Sequence, residues 1–437
     1  MKTLLIRAED KNPWERRAPI IPADLKQLIK QSGISALVER SEKRFFKESE
    51  YIESGAQICD DMQAGDIIFG VKEIPTQKLL DNKVYLFFSH TIKGQKENMP
   101  MLRKIISGGS TLIDYEKIAD SSGKRTVYFG NYAGDAGALD ILWLMGENWQ
   151  EKGIETPFTE CRQALHYHSV NDAKNHLKKI GHRIEKEGLP DQISPLVVGI
   201  LGYGNVSKGA QSIIECLPVE RIDPWDLNNF DFKKGYSKNK VYLVVFKEEH
   251  MVQRKDGSDF NLQEYFEQPD KYESRFEQYL PYLSIIINAT YWDKRYPKFV
   301  TWKGLEKMIL SDPNRKLMGI ADITCDVNGS IECNVKTTDT GMPAYRCNPV
   351  NQTVEDGHKG DGIVLLAVDN LPAELPNDAS TFFSTQLSPY VKDILNADYS
   401  KSLDKCGLPD GVKRAVIVYN GQLTESFQYL DKYLKPL

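Results

Sequence analysis

Apolar runs and amphipathic segments alternate along most of the chain, and this alternation predicts its fold. Strands are predicted at 2–7, 35–38, 67–71, 84–88, 111–114, 196–201, 219–222, 284–288, 317–323, 362–368 and 415–419. Helices are predicted at 22–30, 48–54, 95–106, 134–149, 164–187, 379–394 and 425–433. Strands that alternate with helices are typical of parallel sheets, so the pattern predicts the α/β class.

The domain organisation follows from the mostly apolar helix predicted at 134–149, which lies between two such α/β regions. We predict a first domain of residues 1–133, to which the C-terminal residues from about 372 to 437 return. The second domain spans about 134–371. Its charged and aromatic segment at about 226–283 is interpreted as an insertion, with aromatic residues such as Tyr265 and Phe266 forming its core.

Residues 196–223 have the order strand, glycine turn, helix, strand and acid that is typical of a dinucleotide-binding unit. The turn comprises Gly202, Tyr203, Gly204, Asn205, Val206 and Ser207. We predict that the helix opens at Gly209 and that Asp223, about 20 residues beyond the glycines, binds a ribose hydroxyl. The alternative is a glycine turn that binds no cofactor.

Other cofactor contacts are predicted where later strands of this domain end. Asn288 ends a core strand, and a short polar residue at such a position often touches the nicotinamide ribose; Ala289 and Thr290 follow it. Asp322 is a further candidate, although an aspartate there is commonly a turn former.

Four polar clusters follow strands of the first domain, at 15–19, 72–73, 89–93 and around Arg125. A lysine and a histidine at neighbouring strand ends, such as Lys72 and His90, can face one cleft, where burial lowers the pKa of the lysine towards a working range. Arginine suits carboxylates, so Arg17 and Arg125 indicate a substrate with more than one acid group. Taken singly, each of these residues could instead be structural or solvated.

Composition and charge exclude several classes of protein. A formal net charge of -5 gives no reason to expect a nucleic-acid partner, and no apolar run is long enough to predict a membrane span. The charged N-terminal segment lacks a secretory core, and the seven scattered cysteines form no CxxC pair, which predicts reduced thiols and a cytoplasmic location. Cys325 and Cys333 lack partners at metal-ligand spacing, so no metal is predicted.

Eight motifs in order give the chain a resemblance to a known family. WERRAPIIP, FGVKEIP, FFSHTIK, LIDYEK, YFGNYAGDAG, GYGNVSKGAQ, INATYW and AVDNLPAELP resemble lysine–ketoglutarate reductase, the N-terminal half of aminoadipic semialdehyde synthase. The chain is more distantly similar to the lysine-forming saccharopine dehydrogenase of fungi. The resemblance implies the alanine dehydrogenase and transhydrogenase fold, with two Rossmann-like domains separated by a cleft.

The resemblance also implies a reaction and roles for particular residues. L-lysine and 2-oxoglutarate would condense, and a reduced nicotinamide cofactor would reduce the imine to saccharopine. Lys72 and His90 match the acid–base pair of that family, and Arg17 and Arg125 match residues that bind substrate carboxylates. Other substrate contacts are expected from Glu73, Lys93, Glu116 and Asp369.

The cofactor form and two other functions stay open in the sequence. Asp223 favours NAD, whereas the animal and plant reductases of this family are associated with NADP, and Arg221 is near enough in sequence to reach a 2′-phosphate. An alanine dehydrogenase-like enzyme and a catalytically silent nicotinamide-binding protein are the alternatives. The sequence leaves open whether the chain forms a homo-oligomer.

Overall fold

The computed structural model describes residues 2–227, 235–312 and 316–434. Its strands are β1 Leu4–Ile6, β2 Ala36–Glu39, β3 Gln57–Cys59, β4 Ile67–Phe69, β5 Val84–Phe87, β6 Thr111–Asp114, β7 Leu196–Leu201, β8 Val219–Arg221, β9 Val241–Phe246, β10 Val252–Arg254, β11 Tyr272–Ser274, β12 Ile285–Asn288, β13 Gly319–Asp322, β14 Ala344–Asn348, β15 Thr353–Asp356, β16 Ile363–Leu366, β17 Val416–Tyr419 and β18 Gln422–Leu423. Its α-helices are α1 Pro22–Ser32, α2 Glu48–Glu53, α3 Met99–Ser107, α4 Tyr132–Glu151, α5 Val170–Glu187, α6 Asn205–Ile214, α7 Pro224–Leu227, α8 Glu248–Met251, α9 Leu262–Glu267, α10 Trp302–Ser311, α11 Pro376–Asn396, α12 Asp410–Lys413 and α13 Asp431–Leu434. Short 3₁₀ turns connect many of these elements.

The chain folds into two units, each built on its own sheet. The first unit consists of Met1–Gly130 and Pro376–Leu437, and the second of Asn131–Leu375. Both sheets have eight strands, and most neighbouring strands in them are parallel. The prediction of an α/β protein with parallel sheets is therefore confirmed.

The first sheet has the strand order β18-β17-β6-β5-β4-β1-β2-β3. Its central strands are apolar and buried along their whole length, as expected for parallel strands covered by helices on both faces. β17 joins this sheet from the C-terminal segment and pairs antiparallel with β6. Because β1, β4, β5 and β6 are parallel neighbours, their carboxyl ends lie along one edge.

The second sheet has the order β15-β14-β16-β13-β12-β7-β9-β8 and corrects one interpretation of the sequence. The segment at 226–283, interpreted as an insertion, contains β9, which pairs with β7 over six residues and is the second strand from one edge of the sheet. Its run Val-Tyr-Leu-Val-Val-Phe is long and apolar enough to be a buried parallel strand. β8 is thereby displaced to the edge of the sheet, where it pairs with β9.

Two helix boundaries differ from the prediction for local reasons. Helix α6 begins at Asn205 rather than at Gly209, so the glycine turn leads directly into the helix. Gly209 lies against the N-terminal end of α4, since a Cβ there would be 2.4 Å from the carbonyl oxygen of Asn131. Helix α5 begins at Val170 rather than at 164, because the Ser169 side chain caps it by accepting the amide of Asp172.

No helix in the described part of the chain is both long and apolar enough to cross a bilayer.

Candidate functional site

The functional side chains of the first unit follow the neighbouring strands β4, β5 and β6. Lys72 and Glu73 come after β4, His90 after β5, and Glu116 after β6. The parallel pairing of these strands brings their ends to one edge of the sheet. This edge is the usual location of ligand sites in open α/β sheets.

The carboxylate of Glu73 connects the groups at this edge. Its Oε1 accepts a hydrogen bond from Nζ of Lys11 at 2.9 Å and lies 2.7 Å from Nδ1 of His90, while its Oε2 is buried with no hydrogen-bond partner among the described residues. Burial alone would raise the pKa of Glu73, but the hydrogen bonds and charges of His90 and Lys11 lower it to about 2. An ionised Glu73 accepts a hydrogen bond from the Nδ1–H group of His90, so that Nε2, the other ring nitrogen, points away from Glu73.

A hydrogen bond fixes the backbone of Lys72. Its amide donates to Oε2 of the buried Glu9 at 3.0 Å, and its half-buried side chain follows directly on β4. His90 has a φ of 48°, in the left-handed region that residues other than glycine seldom adopt. Backbone strain of this kind is concentrated at functional sites.

The two arginines lie over an aromatic layer but differ in their partners. Arg17 is buried, and its Nε and Nη2 contact the carboxylate of Glu15 at 2.8 and 2.6 Å, with its Cζ 4.0 Å from the ring centroid of Phe129. A substrate carboxylate would have to compete with Glu15 for this fork. The Nη atoms of Arg125 have no hydrogen-bond partner among the described residues, and its Cζ lies 5.2 Å from the ring centroid of Phe88.

Burial lowers the pKa of Arg125, and the carboxylate of Glu116 opposes this shift. A half-buried guanidinium with uncommitted donors is suited to a carboxylate ligand. Of the two predicted carboxylate binders, Arg125 is therefore the one whose donors are available.

The other predicted substrate contacts have less distinct surroundings. Lys93 is exposed, and its backbone amide donates to Oε1 of Gln95. Glu116 is half-buried, and its backbone amide donates to Asp114. Asp369 belongs to the second unit, where it is exposed after β16. The structure thus brings Glu73 and His90 into direct contact and leaves Asp369 outside the first unit.

The glycine turn of the second unit has the geometry of a phosphate cradle. Gly202 has a φ of 92°, which favours glycine, and a Cβ there would lie 3.0 Å from the carbonyl oxygen of Ala289. Gly204 precedes the ten-residue helix α6, and the space where its Cβ would stand is empty to 4 Å. Ser207 is buried and accepts a hydrogen bond from Gln211. The open space before the helix N-terminus fits the pyrophosphate of a dinucleotide.

A cavity of about 270 Å³ adjoins this turn. It is lined by Gly202, Tyr203, Gly204, Glu248, Met251, Tyr265, Phe266, Ala289, Thr290, Tyr291, Tyr296 and Phe299. The charge of Glu248 and a hydrogen bond to it raise the pKa of Tyr203. Sequence reasoning missed Glu248, and it interpreted Tyr265 and Phe266 as the core of an insertion, because β9 was not recognised as a strand of the sheet.

The strand order changes which acid lies beside the glycine turn. Glu248 follows β9, the direct neighbour of β7, whereas Asp223 follows the edge strand β8 and is exposed, with its Oδ1 accepting the amide of Trp225. Arg221 is paired with Glu215 and donates to Gln211. Of these two acids, Glu248 is therefore the one that lines the cavity beside the glycine turn.

Asn288 and Asp322 form a buried network behind the cavity. The amide nitrogen of Asn288 donates to Oδ1 of Asp322 at 2.8 Å and to Ser330 at 2.9 Å, and its oxygen accepts the hydroxyl of Thr290 at 2.7 Å. Burial raises the pKa of Asp322, and hydrogen bonds from Asn334, Thr324 and Asn288 oppose that shift. Through these bonds Asn288 orients Thr290, which lines the cavity.

Metal binding has no support in the described segments, where no group of three or more His, Cys, Asp or Glu side chains could hold an ion. All seven cysteines lie in those segments, and each is a free thiol.

The fold and the glycine turn define a class, an α/β protein of two mostly parallel sheets with a dinucleotide-binding motif. Family models named "Alanine dehydrogenase/PNT, N-terminal domain" and "Alanine dehydrogenase/PNT, C-terminal domain" match residues 5–136 and 244–426, together more than half of the chain. The chain belongs to the alanine dehydrogenase/PNT family.

Several curated relatives are similar over nearly the whole chain. The mitochondrial α-aminoadipic semialdehyde synthase of Mus musculus is 35% identical over 98% of this chain and 47% of its own length. The α-aminoadipic semialdehyde synthase of Arabidopsis thaliana is 38% identical over 98% of this chain and 41% of its own length. The chain therefore spans about half the length of these relatives. The NAD(+)-dependent, L-lysine-forming saccharopine dehydrogenase of Emericella nidulans is 28% identical over 90% of this chain and 92% of its own.

Solved structures support the same fold. An L-alanine dehydrogenase matches with a TM-score of 0.62 at 17% identity, covering 99% of this chain and 100% of its own. A transhydrogenase from Sinorhizobium meliloti matches with a TM-score of 0.53 at 14% identity, covering 97% and 99%.

The low pKa of Glu73 predicts a pH-dependent contribution to stability. A carboxyl group whose pKa is about 2 when folded and about 4.3 when unfolded stabilises the fold above pH ~4.3 and loses that contribution as the pH falls towards 2. We expect Glu73→Gln to lower the free energy of unfolding by about 2 kcal/mol at pH 6, and the deficit to shrink between pH 5 and 3. Urea titrations at several pH values measure this difference.

The matched control is Glu97→Gln, an exposed glutamate of the same unit. It should leave the pH dependence unchanged. A constant deficit for Glu73→Gln across this range would contradict the ion-pair explanation.

Proposed function

We propose that this chain catalyses the reversible reductive condensation of L-lysine with 2-oxoglutarate to saccharopine, using a nicotinamide dinucleotide. The observation that carries the proposal is the contact of His90 with the ionised Glu73, next to Lys72, at the ligand-binding edge of the first sheet. The names of the relatives and the glycine turn before α6 support it.

The reaction needs proton transfers at two points, the loss of water that forms the imine and the amine nitrogen. The neutral ε-amine of lysine adds to the keto carbon of 2-oxoglutarate, water leaves to give the imine, and hydride and a proton then convert the imine to the secondary amine. We assign the proton transfers that accompany loss of water to His90, whose Nδ1 is held by Glu73. Lys72 would exchange the proton of the amine.

The remaining residues of the first unit have supporting roles. Arg125, with uncommitted Nη donors, is proposed to bind a substrate carboxylate, and Arg17 to bind another in competition with Glu15. Glu73 keeps the imidazole of His90 in one tautomer. The ammonium group of Lys11 partly neutralises the negative charge of Glu73. Lys93 and Glu116 would complete the polar wall.

The cavity beside the glycine turn fits the adenosine half of a dinucleotide. Gly202, Gly204 and the N-terminus of α6 would hold the pyrophosphate, and the aromatic side chains of Tyr265 and Phe266 offer faces for the adenine ring. When bound, the cofactor supplies the hydride. Thr290, oriented by Asn288, lines the same cavity and would also contact the cofactor.

The charge in this cavity favours NAD over NADP. Glu248 is suited to accept hydrogen bonds from the ribose hydroxyls, and its carboxylate would repel a 2′-phosphate. Arg221, the residue that could have neutralised that phosphate, is paired with Glu215. Location in the cytoplasm stays a prediction from the sequence, which leaves open whether the chain forms a homo-oligomer.

The central test follows the oxidation of NADH and of NADPH at 340 nm with lysine and 2-oxoglutarate supplied together and singly. We expect oxidation only with both substrates, and faster with NADH. Turnover of ammonia plus pyruvate instead would identify an alanine dehydrogenase-like enzyme. Tight cofactor binding without turnover of any pair would favour a silent binding protein.

The acid–base roles predict large losses of turnover in Lys72→Met and His90→Gln. Each should lower kcat by roughly 10²–10⁴-fold, the usual contribution of one acid–base group. Steady-state kinetics with circular dichroism as a folding check measures this loss. Lys96→Met, at an exposed lysine of the same unit, is the matched control. Full activity in either active-site variant would refute the corresponding role.

The assignment of Glu248 predicts a change in cofactor preference. Glu248→Gln keeps the shape of the side chain but removes its charge, so the ratio of kcat/KM for NADPH to that for NADH should rise about tenfold, or ~1.4 kcal/mol. The matched variant Asp223→Asn should leave this ratio within about twofold. If Asp223→Asn alone changed the ratio, the acid assigned from the sequence would be the correct one.

A further inference from the structure

Two buried carboxylates bind the backbone of the segments that carry Lys72 and His90. After β1, Glu9 accepts the amide of Val71 on Oε1 at 2.7 Å and the amide of Lys72 on Oε2 at 3.0 Å. Glu9 is buried and belongs to a different strand connection from the residues it holds. Its two oxygens therefore fix the orientation of the peptide that leads into Lys72.

Glu9 is itself held firmly in place. Nη1 of Arg7 lies 3.4 Å from its Oε2, and Nη2 of Arg7 donates to Asp10 at 2.6 Å. Gly70 allows this close packing, since a Cβ there would lie 2.9 Å from Cδ of Arg7 and 3.3 Å from Oε1 of Glu9. Burial raises the pKa of Glu9, whereas the charge of Arg7 and the two amides oppose that shift.

Asp114, at the end of β6, does the same for the segment of His90. Its Oδ2 accepts the amide of Ser89 at 3.0 Å and the hydroxyl of Ser89 at 2.5 Å, and its Oδ1 accepts the amide of Glu116 at 2.8 Å. The hydroxyl of Ser89 also lies 2.7 Å from that of Thr91, so the residues on both sides of His90 are connected to one carboxylate.

The backbone of His90 needs such support. Its φ of 48° is unfavourable for a residue other than glycine, and such conformations persist only where the surroundings enforce them. The imidazole must also keep its 2.7 Å contact with Glu73. A carboxylate that holds Ser89 through both its amide and its hydroxyl supplies that constraint.

We propose that Glu9 and Asp114 are positioning residues that hold Lys72 and His90, respectively, in their reactive geometry. The proposal rests on the proposed roles of Lys72 and His90. Each carboxylate binds the backbone beside one of the proposed reacting groups: Glu9 accepts the amide of Lys72, and Asp114 accepts the amide of Ser89. Displacements of about 1 Å can cost about 10²-fold in rate, so small losses of backbone orientation are sufficient to matter.

The test compares the isosteric variants Glu9→Gln and Asp114→Asn in the full chain. An amide keeps the shape but replaces one of the two acceptor oxygens by a donor, so it cannot bind both backbone amides. We expect kcat to fall about 10–10²-fold with the KM of each substrate changed by less than about threefold. The pH profile of kcat should change as well.

Asp66→Asn is the matched control. Asp66 also accepts a backbone amide, that of Thr3, but at the opposite edge of the same sheet. It should leave kcat and its pH profile unchanged. Two milder variants cover failure to fold. Glu9→Asp, which keeps the charge, should restore part of kcat. Ser89→Ala removes the hydroxyl contacts with Asp114 and Thr91 but keeps the amide bond to Asp114.

A readout without turnover separates this proposal from the proposed reaction. The ring resonances of His90, assigned by their loss in His90→Gln, should shift in Asp114→Asn and in Ser89→Ala, and stay in place in Asp66→Asn. If Lys72→Met and His90→Gln kept full activity, the proposed roles would fail whatever these resonances did. Folded Glu9→Gln and Asp114→Asn proteins with wild-type kcat, pH profile and His90 resonances would overturn the positioning proposal.

Discussion

Parallel pairing of the strands is the constraint on which the candidate sites depend. In the first sheet the neighbours β1, β4, β5 and β6 all run in one direction, so the residues after each strand meet at one edge. Parallel strands need long connections, so segments far apart in sequence bring Glu9, Lys72 and His90 to that edge, where Asp114 ends β6. The same constraint places Glu248 beside Gly202 in the second sheet.

Buried carboxylates fix the positions of the loops at this edge by hydrogen bonds. Glu73 accepts hydrogen bonds from the side chains of Lys11, His90 and Asn98, whereas Glu9 and Asp114 accept hydrogen bonds from backbone amides, and Asp114 also from the hydroxyl of Ser89. Each buried negative charge is costly unless donors surround it, and the strand ends provide unpaired amides for that purpose. The backbone amides that offset the cost of burying these charges are also the groups through which the carboxylates hold the strand connections in place.

Sequence reasoning located the strand ends well because buried parallel strands are continuous apolar runs. Residues 196–201 and 111–114 were predicted with the bounds that the structure has, and Lys72 and His90 follow strands as expected. It failed at β9, because the charged segments around that run suggested an insertion. Glu248 was missed as a consequence, and Glu15 was not recognised as the partner of Arg17.

The sequence by itself determined the α/β class, the glycine turn and the residue types that end the strands, since these depend on local periodicity and spacing. Only the tertiary structure decided that β9 lies between β7 and β8, that Glu73 contacts His90, and that Glu9 and Asp114 hold the neighbouring backbone. Strand order and contacts between distant segments depend on packing over the whole sheet, which no local pattern of residues encodes.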